Sequence, residues 1–334
     1  MSEQRFSRQL ILPQLGEGRQ QRLRQAWVLV AGCGALGSHT AAALLRAGVG
    51  NLILVDRDLV EESNLHRVAV FTEKDVGVPK AEALACRLQE IWPEATLEVQ
   101  VIHLGPREAE ELIPKVDLVV DGLDNLESRY TVNDACVKYG VPWIYTAVLA
   151  TYGMTMPILP GEGPCFRCLF PKPPPPGALP TCATAGILGP VPQALAAWQA
   201  AAAIQLLVEA PELTPGELFY FDLWSRRVST IRVARAPGCP ACVEKRFEFL
   251  ARPSRTATLC GEVVQILPRE KGKLDLAELA GRLSRLGKAE LRGGVVVAEV
   301  EGASLTVFPD GRALIKGVRD PGRAQALYDQ YIAR

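Results

Sequence analysis

Four cysteines stand in two CxxC pairs far apart in the chain, Cys165 and Cys168 in GPCFRC and Cys239 and Cys242 in GCPACVEK. Thiolates at this spacing are soft ligands, and two such knuckles supply the four donors of a closed, tetrahedral zinc site. A redox dithiol, an iron–sulfur centre and unrelated buried cysteines are the alternatives. Nine cysteines is an odd count, and MSEQRFSRQLILPQLG does not read as a signal peptide, so metal or thiol chemistry is expected over a disulfide framework. A further cysteine, Cys182, lies outside both pairs in PTCATAGILGP, flanked by proline and glycine and followed by a helical pattern. A thiol at a helix N-terminus is drawn toward the thiolate, which suits acyl or sulfur transfer; the plainer reading is an incidental cysteine.

A second set of residues fits phosphate chemistry. GCGALG, residues 32–37, matches GxGxxG between an apolar run and a helical pattern, and Asp56 closes the next apolar run about 20 residues on. Gly32 permits the tight turn, Gly34 lets backbone approach the phosphates, Gly37 lets the helix lie close to the sheet, and Asp56 suits the ribose. Arg67 in ESNLHR, Lys80 in GVPKAE and Asp124 with Asn125 in DGLDN add two cations and an acid. A nicotinamide site holds a diphosphate and exposes a flat ring, whereas two basic side chains plus an acid suit a triphosphate with Mg²⁺, the cations offsetting phosphate charge and Asp124 holding the metal. The combination favours ATP and adenylyl transfer. Each residue has a plainer role open to it: surface charge for Arg67 and Lys80, an Asx turn for Asp124 and Asn125, and a helix cap for Asp58. His39 and His66 read as structural and His103 has no assigned role; Cys33 fits the loop by its size, Cys86 and Cys136 read as helical core, and Cys260 is undetermined.

These residues need a scaffold. Apolar runs at 26–31, 51–58, 97–102, 116–122 and 143–149 read as strands, with helical patterns after the glycine loop, at 83–92 and in YTVNDACVKYG ending at Gly140. Such alternation predicts an α/β, Rossmann-like, mostly parallel sheet covered by helices, with ligands outside the carboxyl ends of its strands. Residues 157–192 form a Pro/Gly/Cys-rich zinc-knuckle crossover in which Pro173 to Pro176 act as an extended spacer. An alanine-rich helix follows at 193–208, its small side chains suited to close packing within the domain or against a second subunit. From about 253 the patterns of strands, two helices and a DG hairpin predict a small C-terminal α+β domain, so the chain divides into 1–250 and 253–334.

Composition narrows the field. With 48% apolar residues the chain can bury a large core, and Lys+Arg equals Asp+Glu at 37 each without a basic tail, so nucleic acid and anionic membrane are not expected partners. No segment reads as a lipid-facing span, and the expectation is a soluble, cytoplasmic protein.

Taken together, RFSRQL (5–10), GCGALG, DxD at 56–58, ESNLHR, GVPK, DGLDN, the paired CxxC knuckles and PTCATAGILGP resemble, in order over residues 1–250, the E1-like adenylyltransferases of the bacterial ThiF/MoeB/HesA group. The resemblance implies an enzyme that uses ATP and Mg²⁺ to adenylate the C-terminal glycine of a small β-grasp, ThiS/MoaD-like sulfur carrier ending in Gly-Gly, releasing pyrophosphate. Gly32, Gly34, Gly37, Asp56, Asp58 and Asn125 join the implied nucleotide set; Asn64, Arg67 and Lys80 are implied phosphate contacts, and Asp124 governs Mg²⁺ or reaction geometry. Arg8 matches an N-terminal arginine that, in a homodimer, reaches the partner subunit's ATP site. Cys165, Cys168, Cys239 and Cys242 match structural zinc ligands, and Cys182 a mobile-loop cysteine. The chain departs from the group's NLxRQ motif at Val68. Its C-terminal segment lacks a rhodanese cysteine pattern, so sulfur is expected from a separate donor such as a cysteine desulfurase or rhodanese. Competing readings are adenylation of another protein or peptide C-terminus, an NAD-dependent oxidoreductase, and a non-catalytic scaffold that docks a ubiquitin-like partner.

Overall fold

The computed structural model describes residues 4–175, 180–210, 213–251, 256–259, 263–268, 274–292, 294–318 and 320–333, with backbone alone at 182–183 and 256–259. Part of the proline run and Cys260 lie outside the described residues. The chain falls into two compact units, Met1–Arg252 and Pro253–Arg334.

The first unit opens with two short helices, α1 (Ser7–Leu10) and α2 (Gly16–Gln25), and enters β1 (Trp27–Ala31). It then alternates α3 (Ala35–Ala47), β2 (Asn51–Val55), α4 (Lys80–Ile91), β3 (Thr96–Gln100), α5 (Pro106–Leu112), β4 (Leu118–Asp121), α6 (Leu126–Tyr139) and β5 (Trp143–Leu149). Next come β6 (Tyr152–Ile158), the short α7 (Phe166–Leu169) and α8 (Cys182–Ala185), the long α9 (Pro190–Leu207), β7 (Glu217–Asp222) and β8 (Arg227–Arg232). Among the described residues these strands form one eight-stranded sheet in the order β3-β2-β1-β4-β5-β6-β7-β8.

The sheet is mixed. β1 to β5 pair in parallel, but β5–β6, β6–β7 and β7–β8 are antiparallel. The last three strands escape a reading by apolar runs for local reasons: β6 carries Gly153 and Pro157, and every residue of the edge strand β8 is exposed.

Register builds the site. Ala31 stands level with Val55 and with Asp121, so the chain leaves β1, β2 and β4 side by side at Gly32, Asp56 and Gly122. One face of the sheet packs Leu44, Leu54, Leu84 and Val120 with α3, α4 and α9; the other packs Leu29, Val119, Tyr130 and Phe166 with α5, α6 and the cysteine knuckles. The alanine-rich α9 lies along α3 within this unit, burying Ala196, Ala200 and Ala203. Cys136 is core, as its helical position implied, but Cys86 is exposed: Leu84 and Leu88 form the buried stripe of α4, and a residue two positions from Leu84 points the other way.

The second unit holds β9 (Thr256–Leu259), β10 (Val263–Ile266), α10 (Leu276–Leu283), β11 (Ala289–Arg292), β12 (Val295–Val300), β13 (Ala303–Val307), β14 (Ala313–Lys316) and α11 (Pro321–Tyr331). Its described strands make a six-stranded antiparallel sheet, β11-β12-β13-β14-β10-β9. Gly311, at φ +84°, turns the Asp-Gly hairpin between β13 and β14, and Leu279, Leu283 and Leu327 of the two helices pack on Val264, Leu305 and Ile315.

Candidate active site

Three glycines bring the loop, the first helix and β4 into contact. Gly32 is at φ +95°, and a Cβ there would stand 2.4 Å from the Gly122 carbonyl oxygen; a Cβ on Gly37 would stand 1.8 Å from the Gly32 carbonyl oxygen. Side chains at either position would part strand from helix. Gly34, by contrast, has nothing within 4 Å of its would-be Cβ and caps the N-terminus of α3, so the helix's unpaired N–H groups face open space.

That space is an open cleft at the carboxyl ends of β1 to β4, lined by Gly32, Gly34, Asp56, Arg57, Asp58, Lys80, His103, Asp124 and Asn125 among others. Asp56 is buried and accepts hydrogen bonds from the Cys33 and Asp58 N–H groups, both at 2.7 Å. Burial pushes its carboxyl up, against the pull of the neighbouring Lys80. Lys80, the first residue of α4, reaches Asp58 at 3.4 Å. Burial lowers its affinity for a proton, but the carboxylates of Asp58, Asp56 and Asp124 outweigh that and leave it shifted up and charged. Asp124 is half exposed. Asn125 caps α6, its side-chain oxygen accepting from the Ser128 N–H at 2.8 Å, and donates to Asp124 at 3.2 Å. The lining carries three acids and two bases, a formal charge of −1.

The β4 turn that presents Asp124 is held from below. Asp121 is fully buried and accepts from Arg129 at 3.0 Å, while Arg129 also donates to the Leu123 and Thr146 carbonyls. Gln199 of α9 donates to the Asp121 carbonyl at 2.9 Å and accepts from Thr40 of α3 at 2.6 Å, so both helices are tied to this turn.

Away from the cleft, the two CxxC pairs converge. Cys165 and Cys239 sulfurs lie 3.5 Å apart, as do those of Cys168 and Cys242, and all four are within 4.8 Å of one another. Four thiolates at about 2.3 Å from a tetrahedral ion stand about 3.8 Å apart, so this donor set could hold a metal ion. The Ala236 N–H donates to the Cys168 sulfur at 3.4 Å, the kind of outer contact that steadies a thiolate ligand. The centre pins α7 to the loop after β8 within a cluster of Tyr130, Phe166 and Phe249.

Comparison with known proteins gives the family. Residues 6–241 match the model of the ThiF family. The chain belongs to the ThiF family, a group of E1-like adenylyltransferases. It is 38% identical over 336 residues, 98% of its own length and 99% of the relative's, to a sulfur carrier protein ThiS adenylyltransferase of Bacillus subtilis. It is also 43% identical over 243 residues, 71% of this chain and 90% of the relative, to a sulfur carrier protein adenylyltransferase of Thermus thermophilus. Among solved structures, E. coli MccB shares the fold with a TM-score of 0.64 over 73% of each chain at 24% identity.

Several residues singled out in this ThiF-family sequence stand outside the cleft lining. Arg67 donates to the Ser63 carbonyl and to His66, with Gly189 packed against its backbone. Asn64 is buried and accepts from the Glu61 N–H at 3.3 Å, closing a capping box on the turn Glu62–Asn64. Val68, where the family motif differs, is core. Arg8 is exposed on α1, and Cys182 opens the four-residue α8, its side chain outside the described residues. His39 bonds the Ala35 carbonyl and the Ala69 N–H. The lining also holds Arg57 and His103, to which the sequence assigns no role. Arg57 sits between the two acids of DRD and could have been noticed there; His103 meets it at 3.1 Å only through the β2–β3 register, which no local signal reveals. Among the described residues, no helix is long and apolar enough to cross a membrane.

Proposed function

We propose that the protein uses ATP to adenylate the C-terminal glycine of a small β-grasp sulfur-carrier protein ending in Gly-Gly, releasing pyrophosphate and leaving an acyl adenylate for sulfur transfer. The observation that carries this reading is the cleft itself: an open glycine-loop helix end beside Lys80 and Asp124, in a chain 38% identical end to end to a ThiS adenylyltransferase. The carrier's carboxylate oxygen attacks the α-phosphorus; that bond forms as the bond from the α-phosphorus to the bridging oxygen breaks, and pyrophosphate takes the electron pair. No side-chain base is required, since a terminal carboxylate is ionised at neutral pH.

Both reactants are anions, so the chain's task is to hold them together. Gly34 and the α3 N-terminus cradle phosphate, Asp56 takes the ribose, and Lys80, kept protonated by its carboxylate neighbours, stabilises charge on the phosphates. A lining of formal charge −1 does not by itself attract a nucleoside triphosphate, which supports Mg²⁺ held by Asp124 and the phosphates; the ion would supply charge neutralisation. Arg67 and Asn64 would reach the phosphates after leaving their resting contacts, and Arg8 would complete the site of the partner subunit in a homodimer. Zinc on Cys165, Cys168, Cys239 and Cys242 would be structural, and Cys182 the thiol of the transfer step. Residues 1–250 are then the adenylation domain and 253–334 an accessory domain.

ATP–pyrophosphate exchange tests the reading. With purified protein and candidate carriers ending in Gly-Gly, exchange should require both the carrier and Asp124, and Asp124→Ala should lower it by about 100-fold or more. Exchange with an unrelated peptide C-terminus but no carrier would move the activity to another substrate; no exchange from protein that binds ATP would favour a scaffold.

A further inference from the structure

Arg57 is the one cation in the cleft that the proposed reaction leaves without a task, and its geometry is specific. The guanidinium presents a different nitrogen to each of three groups: Nε to Asp58 at 3.6 Å, Nη2 to Asp124 at 3.5 Å and Nη1 to His103 at 3.1 Å. These groups follow β2, β4 and β3 respectively, so one planar side chain joins the ends of three strands. Its side chain is only 8% exposed, against 56% for Asp124. Arginine is always a donor, so the His103 nitrogen facing it accepts, and that bond aims the guanidinium at the carboxylates.

We infer that Arg57 is a positioning residue that stands in for the divalent cation in the metal-free cleft: it holds Asp58 and Asp124 in place and competes with the ion for them. The inference rests on the reading of Asp124 as the metal's carboxylate. Three acids crowd the cleft, and with Arg57 and Lys80 as the only bases in its lining, removing Arg57 takes the lining from −1 to −2. A residue that served only to support the fold would, when removed, loosen Asp124 and weaken metal binding. A stand-in cation has the opposite signature: its removal takes the guanidinium from both carboxylates, leaving Lys80 on Asp58 and Asn125 on Asp124, and strengthens metal binding, while ATP without metal, facing a more negative cleft, binds less well.

The test is direct binding of Mn²⁺ to the full chain without nucleotide, read by the electron paramagnetic resonance signal of the free ion. Arg57→Met, which keeps bulk and removes the charge, should tighten Mn²⁺ binding by about three- to tenfold and weaken metal-free ATP binding by a similar factor. Should that variant fail to fold, Arg57→Lys carries the test: an ammonium keeps the charge but lacks the planar fork that meets three groups at once, so Mn²⁺ should again bind more tightly, by a smaller factor. Unchanged or weaker Mn²⁺ binding in a folded Arg57 variant, together with a clear loss in Asp124→Asn, overturns the role of Arg57 alone. Mn²⁺ binding that Asp124→Asn leaves intact overturns the metal assignment and this inference with it.

Discussion

The glycine loop separates two functions that its motif merges, and substitution at Gly37 and Gly34 should separate them in the test tube. An alanine Cβ at 37 would lie 1.8 Å from the Gly32 carbonyl oxygen and 3.2 Å from Val30 Cγ1. Carbon and oxygen settle at about 3.3 Å, so the helix would have to retreat by about 1.5 Å. The loop cannot yield instead, because Gly32 is backed by Gly122, whose own Cβ would meet the Gly32 carbonyl oxygen at 2.4 Å. Gly37→Ala should therefore cost about 3 kcal/mol, the upper part of the range for overpacking, and should slow ATP–pyrophosphate exchange about 100-fold by displacing the helix end. Gly34→Ala meets nothing within 4 Å in the protein. It should change stability by less than about 1 kcal/mol yet weaken ATP binding about tenfold or more, since its methyl occupies the phosphates' space. Urea unfolding followed by tryptophan fluorescence, beside titration with ATP, reads both quantities. Equal unfolding midpoints for wild type and Gly37→Ala would refute the packing account; undiminished ATP affinity in Gly34→Ala would refute the placement of the phosphates.

Three further outcomes are expected. Purified protein should contain one zinc per chain by plasma mass spectrometry, and Cys239→Ser should lose it and melt at lower temperature; zinc-free wild type with an unchanged melting point would end the zinc assignment. Arg129→Leu should cost about 3–5 kcal/mol by stranding the buried Asp121 carboxylate, and adding Asp121→Asn should recover part of that loss; simple additivity of the two would show that the pair is not coupled. Asp134 accepts from the Phe249 N–H, and burial raises its carboxyl to about 6, so the folded chain holds this proton more tightly than the unfolded one. That contribution is complete below about pH 4 and is lost as the pH rises through 6, so the stability of Asp134→Asn relative to wild type should rise by about 2–3 kcal/mol between pH 4 and pH 7, and a constant difference would refute it.

The sequence by itself determined whatever is written in neighbouring residues. Buried parallel strands are short apolar runs, GCGALG is a turn that only glycines can make between strand and helix, and Gly140 ends α6 in the left-handed conformation expected of it. Asp56 and Lys80 were legible on the same ground, because the acid closes a strand and the lysine opens a helix. The paired CxxC knuckles announced a four-thiolate centre, since three-residue spacing puts two sulfurs on one knuckle wherever the pairs come to meet. Only the tertiary structure decided what depends on register and on packing between distant segments. The level ends of β1, β2 and β4 set Gly32, Asp56 and Gly122 against one another; the end of β3 carries His103 to Arg57; and Gln199, within an alanine-rich helix, reaches the Asp121 carbonyl. The same holds for resting contacts: Asn64 and Arg67, outside the cleft lining, are committed to their own turn, and Arg57, within it, to two acids. Local chemistry specifies which side chain is available, but hydrogen bonds and ion pairs act over a few ångströms, and which groups come within that reach is settled by how the strands align.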